Sequence, residues 1–439
     1  MAINIQHDKV EAVFTEAVSN NRPVFMIVIA TKPCYVKLAS LIHACDTQNM
    51  STLVIESGQH YDAVLTEAGA LFDIADKVAI NLNVSGSMLS KAADMALAIE
   101  QLAHYFIDLA PSTCVVPVVS GDTLTSNLLP QYWYLATGIR AVHVEAGLRS
   151  MGPSSWQPLR GEALLSQRQC EWVWYRDMPF PEGIDTVLTS CVSDLLLAPL
   201  ERNRQALLRE GYLSENIDIV GSLSADAVTL QSQRKPKQTI YDCYPELANG
   251  KWIRVDIHRR ENLTKPILTA LINALTQLAT EQIQIVFVKY NAFINAVESY
   301  QLQTLVSKAC EAGVVFHELW PSYQHLLEFV TGEHCRFVYS DSGGLQEELN
   351  TLGVPMLTCR ANTDRPETIL DSQSNLLVPP LDQAFIYSGL KLAIDKPQKV
   401  WPRHAGQKLY GENVGQTIAA SLCRYQSKVK RRIDILEGY

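Results

Sequence analysis

Short, continuously apolar runs recur along the chain, separated by longer segments whose apolar residues fall at helical spacing. The runs at 24–29, 52–55, 114–119, 140–144, 217–220, 252–255, 283–288, 314–317 and 337–339 are rich in Val, Ile and Phe and read as buried strands. Segments 88–109, 266–280 and 344–352 have helical periodicity, the last opening at a glycine pair just past a strand. Strands that are apolar on both faces and alternate with helices predict an α/β chain whose parallel sheets are covered by helices on each side. The strand–helix series restarts after Gly221, beyond a polar connector with Ser222, Ser224, Asp226 and residues 232–237. Two Rossmann-like domains are therefore expected, 1–220 and 221–404. Sheets of this kind bind ligands beyond the carboxyl ends of their strands, so a substrate cleft between two facing sheets is also expected.

Composition narrows the function. A chain of 439 residues, 47% hydrophobic and 19% charged, has the balance of a folded two- or three-domain protein. Its longest apolar stretches stop short of the roughly 18–20 residues that span a bilayer. Asp8, Glu11 and Glu16 interrupt the first twenty positions, so no cleaved secretion signal is expected. The 10 cysteines are scattered, Cys34 and Cys45 being the nearest pair, which fits reduced cytoplasmic thiols and no zinc site. A net charge of -9 argues against nucleic acid as a partner, and the cluster Lys428, Lys430, Arg431 and Arg432 reads as a solvated helix face.

Candidate chemistry gathers just after the strands. Five strand ends carry polar groups where a bland turn would serve: Thr31-Lys32-Pro33 with Lys37, Gly121-Asp122-Thr123, 143–149, 256–262 and 340–348. In Ser342-Gly343-Gly344 the glycines let the backbone approach a ligand, and free amides at the start of the following helix attract phosphate; a plain serine N-cap is the structural alternative. An acidic side chain beside a diphosphate is repelled unless it bonds a neutral hydroxyl, so Glu348 is expected to meet a ribose. Asp122 and Glu145 follow apolar runs, where a semi-buried carboxyl is suited to proton transfer, although each can instead cap the next helix. His258, with Arg259 and Arg260, is placed to bond a phosphate or a leaving group, or to be a satisfied structural histidine. A complete Walker signature and a Gly-x-Gly-x-x-Gly after the first strand are both missing, which removes the usual P-loop and dinucleotide readings.

The segments 143–149, 258–262, 340–348 and Arg365-Pro366-Glu367 closely resemble the signatures of the bacterial UDP-N-acetylglucosamine 2-epimerases. Gly58-Gln59-His60, Gly121-Asp122-Thr123, Pro181-Glu182, 189–210, Gly221 with Asp226-Ala227, and Tyr410-Gly411 fall in the same order, so the resemblance covers most of the chain. It implies the two-domain fold of the B-type glycosyltransferases, with a C-terminal helix in 405–439 crossing back to the first domain. It implies anti elimination of UDP to a 2-acetamidoglucal, followed by re-addition of UDP with inversion at C2. Hydrolysing relatives release N-acetylmannosamine and UDP instead. Carried over by motif, Asp122, Glu145 and Glu182 are the acid/base carboxylates and His258 assists departure of the diphosphate. Ser342, Gly343 and Gly344 hold that diphosphate and Glu348 the ribose, while Lys32, Lys37, Arg149, Arg259 and Arg365 surround the anionic groups. The resemblance calls for no metal or nicotinamide cofactor, and implies a UDP-sugar as substrate, a homodimer, a cytoplasmic enzyme and a role in surface polysaccharide synthesis. An allosteric substrate site around Gln59 and His60 is a further question it raises.

The chain also departs from the family pattern. Ala30-Thr31-Lys32-Pro33-Cys34 replaces Gly-Thr-Arg-Pro-Glu, and lysine loses the planar fork of arginine. After Pro181-Glu182 the family usually continues Glu-x-Asn-Arg, where this chain has Gly183-Ile184-Asp185-Thr186. His-x-Asn-Pro becomes Lys289-Tyr290-Asn291-Ala292. The connection 150–180 is far longer than the family's and carries Trp156, Trp172, Trp174 and Tyr175, either a rim that stacks on a sugar or acceptor or a self-packed or dimer-facing flap. These departures leave two other readings open: a glycosyltransferase using the same cleft, and a noncatalytic nucleotide-sugar sensor.

Overall fold

The structure, a computed structural model, describes residues 3–58, 73–402 and 408–429, with Lys32 and Pro33 described in their backbone alone. In chain order the strands are β1 Asn4–Ile5, β2 Val24–Ile29, β3 Thr52–Glu56, β4 Val78–Asn81, β5 Val115–Ser120, β6 Ala141–Val144, β7 Met151–Pro153, β8 Trp172–Trp174, β9 Ser193–Ala198, β10 Ile217–Ile219, β11 Trp252–Asp256, β12 Gln284–Val288, β13 Val314–His317, β14 Cys335–Ser340 and β15 Met356–Thr358. The helices that bear on the site are α1 Lys32–Thr47, α2 Leu124–Thr137, α3 Glu182–Cys191, α4 Gly343–Leu352 and α5 Val414–Tyr425. Among the described residues no helix is long and apolar enough to cross a membrane.

The chain divides into two compact units: 1–149 with 176–227 and 410–439, and 150–175 with 228–409. The first holds an eight-stranded sheet in the order β1-β4-β3-β2-β5-β6-β9-β10, parallel except for β1. Its six central strands run in the doubly wound Rossmann order, which reverses direction between β2 and β5. Every residue of β2 and of β5 is buried, as strands covered on both faces require. The second unit holds a five-stranded parallel sheet, β13-β12-β11-β14-β15, which reverses between β11 and β14.

The unit boundaries differ from the expected 1–220 and 221–404. Residues 150–175 belong to the second unit because β7 pairs with β8, Met151 bridges Thr363, and the Gln167 amide bonds both the carbonyl and the N–H of Leu377. Residues 221–227 stay with the first: Ser222 N–H donates to Tyr410 O, and the Asp226 carboxylate accepts from Val414 N and Gly415 N at 3.0 and 2.8 Å, capping the start of α5. That helix packs on α1 within the first unit. The long connection thus packs both on itself and on the body of the second unit. Trp156 meets the edge of Phe385, Trp172 Nε1 donates to Gln167 O, and Tyr175 OH donates to Pro153 O.

Candidate functional site

In a doubly wound sheet the ligand crevice opens where the strand order reverses, because the loops leaving the two strands on either side diverge there. In the first unit those loops follow β2 and β5. The chain leaves β5 through Gly121, at φ +78°, whose N–H donates to Val144 O. A Cβ on Gly121 would stand 3.1 Å from Glu145 Oε2, so glycine serves both the turn and the closeness of that carboxylate. Glu145, the residue after β6, is itself held at φ +68°, a left-handed conformation that a side chain adopts at a cost of about 1–2 kcal/mol. Such strain marks positions where the direction of the side chain matters. It is buried to 3% exposure, and Lys37 Nζ from α1 donates to its Oε1 at 2.8 Å.

A buried histidine braces this corner. His143 in β6 lies 3.1 Å from Gly121 O through Nε2 and 2.9 Å from Ser190 Oγ of α3 through Nδ1. Burial drives its pKa down to about 3, so it is a neutral ring that ties β5, β6 and α3 together. Asp122 is half-buried directly after Gly121, before the N-cap Thr123 of α2. Glu182 is the first residue of α3, and its Oε2 is buried without a hydrogen-bond partner. The structure therefore brings Asp122, Glu145 and Lys37 to the strand ends of one sheet, with Glu182 on a helix braced against it.

In the second unit the reversal lies between β11 and β14, and the loops there are cationic and amide-rich. Asp341, fully buried after β14, accepts from His258 N, Arg259 N and Asn262 Nδ2 at 3.0–3.2 Å, so one carboxylate fastens the loop after β11 to the loop after β14. Burial pushes its pKa up, against the pull of His258, Asn262 and the two backbone donors. His258 Nδ1 lies 3.1 Å from Asp341 Oδ1 but out of hydrogen-bonding alignment, and its ring tilts against Tyr290. Ser342 caps α4 by accepting from Leu345 N, and Gly343 and Gly344 open the helix. A Cβ on Gly343 would stand 3.5 Å from Arg259 Nη2, so the guanidinium lies along the helix start, where its Nε is buried without a partner. Glu348, one turn into α4, accepts from Tyr323 OH at 2.6 Å.

Two expected anion ligands are committed elsewhere. Arg149 donates to Glu210 side-on through Nε and Nη2, at 2.7 and 2.6 Å, and through Nη1 to Leu148 O. Arg365 is buried between Glu347 and Asp364. Burial alone raises the pKa of Asp364, but Arg365, Arg360 and Arg259 outweigh it and hold that carboxyl well below the usual range. The Lys32 side chain, with Gln59 and His60, lies outside the described residues.

Three groups escaped the sequence reading. Asp341 stood in a noted segment without a role, and the Lys37–Glu145 pair joins residues 108 positions apart. Asp185 stands where the family pattern has asparagine, a substitution to which the sequence reading attaches no role. It is buried and accepts from Asn127 Nδ2 at 2.6 Å.

Comparison with known proteins fits this arrangement. A sequence model of the UDP-N-acetylglucosamine 2-epimerases matches residues 43–156 and 175–422, passing over the body of the long connection. The UDP-N-acetylglucosamine 2-epimerase of Bacillus subtilis is 26% identical over 432 residues, 94% of this chain and 98% of the relative. That of Methanococcus maripaludis is 29% identical over 370 residues, 80% of this chain and 86% of the relative. The Neisseria meningitidis UDP-GlcNAc 2-epimerase, solved bound to UDP-GlcNAc, superposes with a TM-score of 0.73 at 24% identity over 91% of this chain and 100% of that one. The likeness in fold accords with the two doubly wound sheets, and the family match runs through both reversal points. On that match, the chain belongs to the UDP-N-acetylglucosamine 2-epimerase family.

Proposed function

We propose that this protein interconverts UDP-N-acetylglucosamine and UDP-N-acetylmannosamine by anti elimination of UDP and re-addition to the 2-acetamidoglucal. The observation that carries the reading is Glu145: a strained, buried carboxylate fixed by Lys37 beside the glycine turn at the first sheet's reversal point. The C2 proton is only weakly acidic, so its removal must be coupled to cleavage of the C1–O bond and to stabilisation of the departing diphosphate. Asp122, Glu145 and Glu182 handle the proton, one carboxyl taking it from one face and another returning it to the opposite face. Because the reaction is reversible, each is base in one direction and acid in the other.

The second unit binds UDP. The N–H groups at the start of α4 and the Arg259 guanidinium take the diphosphate, and His258 donates to its leaving oxygen. Glu348, already bonded to Tyr323 OH, takes the ribose hydroxyls. Arg365 supports these surroundings through Glu347 and Asp364, while Arg149 is held by Glu210 in the first unit. The reaction calls on no metal or nicotinamide. We place the enzyme in the cytoplasm, as a homodimer that supplies an N-acetylmannosamine unit for surface polysaccharide.

Product analysis after incubation with UDP-N-acetylglucosamine tests the reading. UDP-N-acetylmannosamine with the diphosphate intact is the expected product. N-acetylmannosamine plus UDP would place the chain on the hydrolysing branch, and sugar transfer to a glycan without change at C2 would overturn the proposal in favour of a glycosyltransferase.

A further inference from the structure

Helix α3 carries a second carboxyl for which the epimerase reading has no use. Asp185 lies one turn after Glu182, so the two side chains leave the same face of the helix. Asp185 is 4% exposed. Its Oδ1 is held by Asn127 Nδ2, and the Asn127 amide is oriented in turn by Gln131 Nε2, which donates to Asn127 Oδ1 and O. Asp185 Oδ2 and Glu182 Oε2 are both buried and both without a hydrogen-bond partner. Two buried, unpaired carboxylate oxygens on one helix face are costly if both groups are ionised, since each loses hydration and each repels the other. One proton on the pair removes most of that cost.

Helix α2, which packs on α3, carries no charged residue from Leu124 to Thr137. From β6, His143 faces Ser190 of α3 as a neutral ring. From β9, Asp194 pairs with Arg140 at 3.6 Å. Arg176 and Met178 approach Gly183 through their backbone carbonyls. Burial, opposed by the Asn127 donor and reinforced by the charge of Glu182, raises the Asp185 pKa to about 6.

We propose that Asp185 is a positioning residue that shares one proton with Glu182, so that Glu182 can either give a proton to C2 or take one from it. This rests on the epimerase reading. In re-addition, the C1–O bond to UDP forms, the glycal π pair captures the proton at C2, and the O–H bond of Glu182 breaks. The base on the other face already holds the proton abstracted in the elimination, so the protein's proton count is unchanged over the two steps. A pair holding one proton serves both directions; the asparagine of the family pattern at 185 cannot share one.

The test is the pH profile of kcat/KM for epimerisation in wild type and Asp185→Asn, whose amide keeps the Asn127 contact and cannot titrate. The high-pH limb is expected to move down by about one unit, so the variant-to-wild-type rate ratio falls about tenfold between pH 4 and pH 8. A ratio constant across that range is what a purely structural role gives, and it would overturn the proposal. Carbon-13 NMR of protein labelled at the Asp and Glu carboxyls reads the pair without turnover. One Asp signal titrating near 6, absent in Asp185→Asn and displaced in Glu182→Gln, is expected. The absence of such a signal from the wild type, or its indifference to Glu182→Gln, would refute the sharing. Lack of epimerisation at every pH would overturn the epimerase reading, and the carboxyl titration would still decide whether the proton is shared.

Discussion

The two sheets reverse strand order in the same way, yet the loops at the two reversal points carry opposite chemistry. In the first unit the residues there are carboxylates, with Lys37 locked onto Glu145 and His143 held neutral. In the second they are donors, with the Asp341 carboxylate turned inward to fasten His258 and Arg259 while Arg259 Nε lies unpaired beside the start of α4. On the proposed reading, one scaffold yields a proton-transfer corner and an anion-holding corner, according to whether the carboxylate ends up as the working group or as the bracket. If that contrast is right, disabling the first corner stops chemistry and spares UDP binding, and disabling the second weakens UDP binding.

The largest expected effect is in the first corner. Glu145→Gln is isosteric and loses the proton acceptor, so C2 exchange should fall by about 10³-fold, while calorimetry finds UDP affinity within about twofold of wild type. A parallel loss of UDP affinity would erase the distinction between the corners. In the second corner, Asp341→Asn retains the shape but replaces an acceptor facing several donors with one that accepts at a single atom. A loss of about 2 kcal/mol in UDP affinity is expected from the loosened His258–Arg259 loop, read by the same titration.

The brace behind the first corner leaves a signature in stability. His143 binds its proton far more weakly folded, at about 3, than unfolded, near 6.5. Its contribution is therefore complete above pH 6.5 and declines as pH falls toward 3, by about 2 kcal/mol between pH 6.5 and 5. Asp185 runs the other way: its raised pKa makes folding more favourable as pH falls from 6 toward 4. Denaturant unfolding of wild type and His143→Gln separates the two, and the wild type should lose more stability over that interval than the variant. The smallest effect is at Gly121→Ala, where a positive φ and a Cβ 3.1 Å from Glu145 Oε2 predict about 1 kcal/mol of destabilisation with a larger proportional loss of turnover.

Much of this was legible before any coordinates. The continuously apolar strand 24–29 matches β2 residue for residue, because full burial on both faces leaves an unbroken apolar run, and 314–317 matches β13 although that edge strand is half-buried in its middle. Strand β9, Ser193–Ala198, was missed because it opens on Ser-Asp, and β4 because it ends on Asn81 and only its two middle residues are buried. The allegiance of 150–175 could not be read, since Gln167 finds Leu377 at a distance of 210 positions along the chain. The motifs located the loops of both corners but not the partners within them. Lys37 and Arg149 read as open cations, and only the fold reveals that each already has a carboxylate.

The most direct test of the central claim is proton NMR of the purified protein with UDP-N-acetylglucosamine in deuterated water. Deuterium appearing at C2 of the sugar nucleotide together with UDP-N-acetylmannosamine is the predicted result, because it requires both proton abstraction at the first corner and UDP held at the second. Saturation transfer showing UDP-N-acetylglucosamine bound while C2 keeps its proton would contradict the account.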